Sequence, residues 1–82
     1  GNTPVAPVQA ASKQAIKSPL PGTIVSVNVK EGDLVKKGDV LIVMEAMKME
    51  NNIMAAKDGQ VKAIYVSVGQ TVAQDDALVD LA

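Results

Sequence analysis

Few side chains in this sequence can do chemistry. It contains no Cys and no His, which removes thiolate and imidazole nucleophiles, a His general base and every common zinc site. The residues that stand out lie in Glu45-Ala46-Met47-Lys48-Met49-Glu50, where one cation sits between two thioethers and two carboxylates. Taken alone, Lys48 reads as a solvated amine on a hairpin, because lysine is rarely buried and rarely reactive without activation. Met47 and Met49 read equally as flexible core fillers or as a surface that a partner recognises. Glu45 and Glu50 read as solvated charges that pair weakly with Lys48. Any chemistry must then come from a group attached to the chain or bound by it, and neither a catalytic residue nor a metal site is expected.

The elements that hold this segment are short. Val40 to Met44 is a continuous apolar run bounded by turns, as a strand buried on both faces would be. Asn51-Asn52 behind Lys48 is a turn-prone pair, followed by a short strand through Ile53 and Met54. Upstream, Val25, Val27 and Val29 alternate with Ser26, Asn28 and Lys30, the period of a half-buried strand. Glu31-Gly32-Asp33 and Lys37-Gly38-Asp39 are turn signals on either side of Leu34-Val35. No segment carries an apolar stripe at helical spacing, so the expected class is all-β.

A repeat organises these strands. Shifting the chain by about 37 positions lays Gly22 on Gly59, Val29 on Val66, Gly32 on Gly69, Val35 on Val72, Asp39 on Asp76 and Leu41 on Leu78. Neither half could cover its own apolar face. Two halves related by a pseudo-two-fold axis could pack as a small sandwich or flattened barrel. The first unit ends near Glu45, so Ala46 to Lys48 form the seam. An axis crossing the long direction puts that seam at the end opposite the chain termini. The four glycines Gly22, Gly32, Gly59 and Gly69 are expected where a positive φ or a close backbone approach is needed.

Composition bounds the rest. The chain has 82 residues, enough for one small domain, with 48% hydrophobic residues but only 1% aromatic. A net charge of −1 and a single ring, Tyr65, offer neither a basic surface nor a stacking platform for nucleic acid. No apolar run is long enough to insert into a membrane as a helix. Residues 1–14, with Pro4, Pro7 and several Ala, read as a flexible linker ahead of a domain at 15–82. The start, Gly1-Asn2-Thr3-Pro4, has no basic and apolar leader pattern. A cytoplasmic location is expected, for a chain that is a piece of a longer one.

Ala46-Met47-Lys48-Met49 resembles the biotinylation motif of biotin carboxyl carrier domains. The likeness extends to Pro19-Leu20-Pro21-Gly22, to Val29-Lys30-Glu31-Gly32-Asp33 with Val35, to Lys37-Gly38-Asp39, and to Gly59-Gln60-Val61 and Val68-Gly69-Gln70 with Val72. It covers roughly Ile16 to Ala82. It implies a flattened barrel of two four-stranded antiparallel sheets with quasi-two-fold symmetry and the target lysine in a tight turn between strands four and five. It further implies that a biotin protein ligase joins biotin to Lys48 by an amide, with Ala46, Met47 and Met49 as the motif around it. The carrier would then serve a biotin carboxylase or carboxyl-donor site and a carboxyltransferase site, without being an enzyme itself. Lipoyl domains are the alternative, but their lysine is typically flanked by Asp and Ala, not by two Met. The short path from Gly32 to Val40 leaves no room for the thumb insertion of some biotin carriers. That resembles the thumb-less carriers of decarboxylases, transcarboxylases and multidomain carboxylases. An unmodified β adaptor module is the third reading.

Overall fold

In a computed structural model, residues 15–82 are described; the linker assigned to residues 1–14 lies outside them. Eight strands follow one another with no helix among the described residues: β1 (Ile16–Lys17), β2 (Gly22–Val27), β3 (Leu34–Val35), β4 (Val40–Ala46), β5 (Met49–Met54), β6 (Gly59–Ile64), β7 (Thr71–Val72) and β8 (Ala77–Leu81). They form two four-stranded antiparallel sheets, ordered β1-β8-β6-β3 and β5-β4-β2-β7. Exchanging the first four strands with the last four converts one order into the other, which is the pseudo-two-fold axis expected from the repeat. β2 and β6 share one burial pattern and so do β3 and β7. No thumb interrupts the path between β2 and β4; only β3 lies there.

The inner faces meet in an aliphatic core that includes Ile24, Val35, Leu41, Ile42, Met44, Val61, Val72, Leu78, Val79 and Leu81. β-Branched and γ-branched chains stack well on pleated surfaces, so a thin sandwich closes without aromatic rings. Its smallest dimension is 19 Å, against 32 and 30 Å for the other two.

Local irregularities let short strands curve around this core. The β2–β4 register shifts between Ile24 and Ser26, and the extra residue there turns Val25 outward, 40% exposed, while Ile24 is buried. The simple alternation from Val25 to Val29 is thus corrected: Ile24 carries the inward position, and Val27 and Val29 rejoin the core beyond the bulge. A second shift between Val40 and Ile42 accompanies the burial of the consecutive residues Leu41 and Ile42.

The turns repeat as the strands do. The Asp33 carboxylate accepts from the Lys30 backbone N–H and that of Asp39 from Lys36 N–H, each at 2.9 Å. In the second half Gln70 accepts from Ser67 N–H at 3.1 Å and Asp76 from Ala73 N–H at 2.8 Å. Gly32 and Gly69, one repeat apart, have φ of 94° and 89°, a region side-chain-bearing residues avoid. Gly22 and Gly59 act differently. Both lie in strands, where a Cβ would collide with the carbonyl oxygens of Glu45 and Ala82 respectively.

Registers also settle where the ends lie. β4 starts beside the end of β5 and runs to a hairpin at Ala46. Its starting end adjoins β3 through the short turn 36–39, and Val35 faces Gly59. Ala82 pairs through its backbone with Gln60 at this same end. β1 enters from there as well, since Ile16 faces Val79 while Lys17 faces Ala77, nearer the hairpin. The described chain therefore enters and leaves opposite the β4–β5 hairpin.

Candidate functional site

The hairpin closes with Ala46 opposite Met49, leaving Met47 and Lys48 as a two-residue loop. Their φ values are 55° and 66°. Two consecutive positive φ values mark a type I′ turn, whose twist matches that of the flanking strands. Such turns favour Asn-Gly; a Met-Lys pair instead holds two bulky residues in a sparsely populated region, at a cost of about 1 kcal/mol or more each. The ladder beneath overrides that preference. It runs from Val40–Met54 to Ala46–Met49 and is anchored by Ile42, Met44 and Ala46 in the core.

The seam residues divide by burial. Ala46 is buried as the last inward residue of β4, whereas Met47 is 83% exposed, Met49 is 65% exposed, and Lys48 is exposed between them. This exposure sets aside the core-filler reading of Met47 and Met49. Met44, three positions before Met47, fills the core, and Met47 and Met49 do not. Glu45 and Glu50 are exposed and face each other across the ladder; like charges so placed disfavour pairing. The turn-prone reading of Asn51-Asn52 is corrected too. Both asparagines lie inside β5, opposite Met44 and Val43, because the reversal is completed at Met47-Lys48. The Asn51 side-chain amide donates to the Met49 carbonyl at 3.2 Å, bracing the first turn-proximal residues of β5.

One supporting residue was visible in the sequence only as a repeated glycine. Gly22 lies on β2 next to β4, and a Cβ there would press on the Glu45 carbonyl, the Met44 methyl at 2.8 Å and the Ala46 Cβ at 3.2 Å. Gly22 thus lets β2 lie close enough to seat the strand that carries the hairpin. Its repeat with Gly59 hinted at a shared constraint, but not at which neighbour imposed it.

Chemically, the site is a projecting primary amine flanked by two apolar thioethers on a rigid stem. Within the β4–β5 hairpin its ionisable neighbours are Glu45 and Glu50. Among the described residues no group of His, Cys, Asp or Glu is arranged to hold a metal ion, and no helix is long and apolar enough to cross a membrane. Such an amine suits covalent acylation by an external catalyst, in which the neutral amine attacks an activated carboxyl group.

Residues 14–81 match the family model described as "Biotin-requiring enzyme". The chain belongs to that family. Its biotinyl domain is 48% identical over 66 residues to the mitochondrial propionyl-CoA carboxylase alpha chain of Sus scrofa, a match covering 80% of this chain and 9% of the relative. It is 47% identical over 73 residues to the biotin carboxyl carrier protein of Streptococcus mutans, covering 89% of this chain and 56% of that protein. Among solved structures, a single-chain, multi-domain long-chain acyl-CoA carboxylase superposes with a TM-score of 0.77 at 33% identity, over 87% of this chain and 8% of the other. The urea carboxylase of Kluyveromyces lactis gives 0.78 at 31% identity, over 83% and 6%. The chain thus spans about a tenth of the carboxylase chains it matches and about half of the separate carrier protein. It is a biotin carrier domain, similar to those of biotin-dependent carboxylases, with biotin as the cofactor. These matches do not favour the lipoyl alternative.

Proposed function

We propose that Lys48 is the residue to which biotin is joined, and that the loaded domain carries a carboxyl group between two active sites of a larger biotin-dependent enzyme. The observation that supports this most is the placement of Lys48 at the tip of a type I′ hairpin, exposed, at the end opposite the chain's entry and exit. An amine so placed reaches away from whatever the domain is tethered to. A biotin protein ligase would take the neutral amine as nucleophile toward an adenylate-activated biotin carboxyl, forming an amide and releasing AMP. Amide formation removes the lysine charge, and the bound biotin then supplies the position that carries the carboxyl group.

The domain's own contribution is presentation. Met47 and Met49 give ligase and carboxylase sites an apolar contact on either side of the arm. Ala46 ties the arm's base into the core. Tethering raises the effective concentration of the arm at both sites, so the domain needs no acid or base of its own and acts as a non-catalytic carrier. Its partners in this reading are the ligase and the carboxylase and carboxyltransferase domains or subunits, in the cytoplasm. Incubation with biotin, ATP and a biotin protein ligase tests it: the wild-type chain takes up biotin and Lys48→Arg does not. Undiminished labelling of Lys48→Arg would refute the assignment.

A further inference from the structure

The hairpin holds a second reactive chemistry that amine attachment does not use. The chain has four methionines and no cysteine, so thioether sulfurs are its principal targets for a two-electron oxidant. Their environments differ sharply. Met44 is fully buried, with the Ser18 hydroxyl 3.4 Å from its sulfur. Met47 and Met49 are 83% and 65% exposed and bracket Lys48 in the turn. Met54 is 52% exposed at the other end of β5, opposite Val40, about 17 Å along the strand from Met49.

We propose that Met47 and Met49 are a peroxide-oxidised modification site whose sulfoxide form resists acylation of Lys48; this rests on Lys48 being the biotin attachment point. The reaction is balanced with hydrogen peroxide as oxidant. A sulfur lone pair attacks one peroxide oxygen, the O–O bond breaks, the sulfur becomes a sulfoxide, and the other oxygen leaves as water after proton transfer. The thioether is oxidised and the peroxide reduced. The product is polar and chiral where the thioether was apolar. A ligase surface that closes over Lys48 meets these two side chains as well, because they flank it in the turn and are exposed. Covering a sulfoxide oxygen without a matching donor weakens that contact, by roughly tenfold in rate if one polar group is left unmatched. Met44 needs the fold to open before its sulfur is reached, so the response is confined to the surface methionines.

The full chain, treated with hydrogen peroxide and quenched, is mapped by peptide mass and then labelled with biotin ligase, biotin and ATP. Sulfoxide is expected at Met47 and Met49 ahead of Met44, with an initial labelling rate about tenfold lower, restored by methionine sulfoxide reductase. The ratio of treated to untreated rate should return to one in Met47→Leu/Met49→Leu, whatever that variant's own rate, and should stay low in Met54→Leu. An unchanged rate in the oxidised wild type overturns the proposal, as does a persisting loss in the double variant. If the untreated chain takes no biotin at Lys48, the attachment reading itself fails, which the untreated arm reports separately.

Discussion

At the scale of single residues, exposure decides which side chains work outward and which hold the fold. Met47 contributes almost nothing to the core, so Met47→Ala should change stability by no more than about 0.5 kcal/mol. It should nonetheless slow biotin labelling, because it removes apolar surface beside the amine. A thermal melt and a labelling time course on one preparation separate the two effects; a large drop in melting temperature with normal labelling would show that Met47 is a packing residue. Tyr65 offers a second test. Burial, and then the nearby Asp80 carboxylate, whose oxygen lies 3.5 Å from the phenol, raise its pKa above the ordinary value of 10.0. The folded state holds this proton more tightly than the unfolded chain. Its contribution to stability is therefore full below about pH 10 and is lost as the pH rises through the folded value. As the chain's only aromatic residue, Tyr65 can be titrated by its ultraviolet absorbance without interference. Denaturation midpoints that fall above pH 10 in the wild type, and less in Tyr65→Phe, are the expected result.

At the scale of elements, the hairpin trades local preference for presentation. Replacing Met47-Lys48 by Asn-Gly should relieve two unfavourable φ values and stabilise the domain by about 1 kcal/mol, several degrees in melting temperature for a chain this size. The proposed attachment residue is lost with it. A fall in stability would mean that the turn is not strained. Turn chemistry elsewhere grades the glycines. Asp75 adopts a φ of 73° at the repeat position of Gly38, whose φ is 93°, so an Asp is tolerated in that turn. A β-branched residue is not suited to such a φ, and Gly32→Val should cost about 2–3 kcal/mol, although no neighbouring atom lies within 4 Å of the added Cβ.

The same elements show what could be read without coordinates. The glycine-bounded strands, the seam at Ala46–Lys48 and the exposed lysine were legible because turn residues and the 37-residue repeat are encoded locally. The outward Val25 was not, because a bulge depends on the partner strand's register. Asn51-Asn52 misled for a related reason. Their turn propensity is real, but the core anchors Ile42, Met44 and Ala46 set the β4 register and so fix the reversal four residues earlier. The apolar run from Val40 to Met44 already placed Met44 in a buried strand, but whether Met47 and Met49 pack inward was left to the sheet geometry, which sends both outward.

At the scale of the whole molecule, the pseudo-two-fold axis makes two equivalent close approaches with unequal consequences. Gly22 sits against the Glu45 carbonyl inside the ladder that carries the hairpin, and Gly59 against the Ala82 carbonyl at the end of β8. A Cβ at Gly22 would meet three atoms at 3.2 Å or less and one at Gly59 a single atom at 2.8 Å, and Glu45 is held on both sides by Thr23 and Glu50. Gly22→Ala should therefore destabilise by about 2–3 kcal/mol and Gly59→Ala by about 1 kcal/mol. Only Gly22→Ala should slow labelling of folded protein, since only it displaces β4 near the arm. Equal labelling of the two variants, measured where both are folded, would show that the hairpin is insensitive to its support.

The same axis places the hairpin tip, with one of the eight lysines, opposite the ends of the described residues. Peptide mapping of the intact chain after co-expression with a biotin protein ligase tests this most directly. A single biotinyl group on the peptide containing Lys48, with the other seven lysines unmodified, is the result expected. Biotin on a different lysine, a lipoyl group at Lys48, or no acyl group on the chain would contradict it.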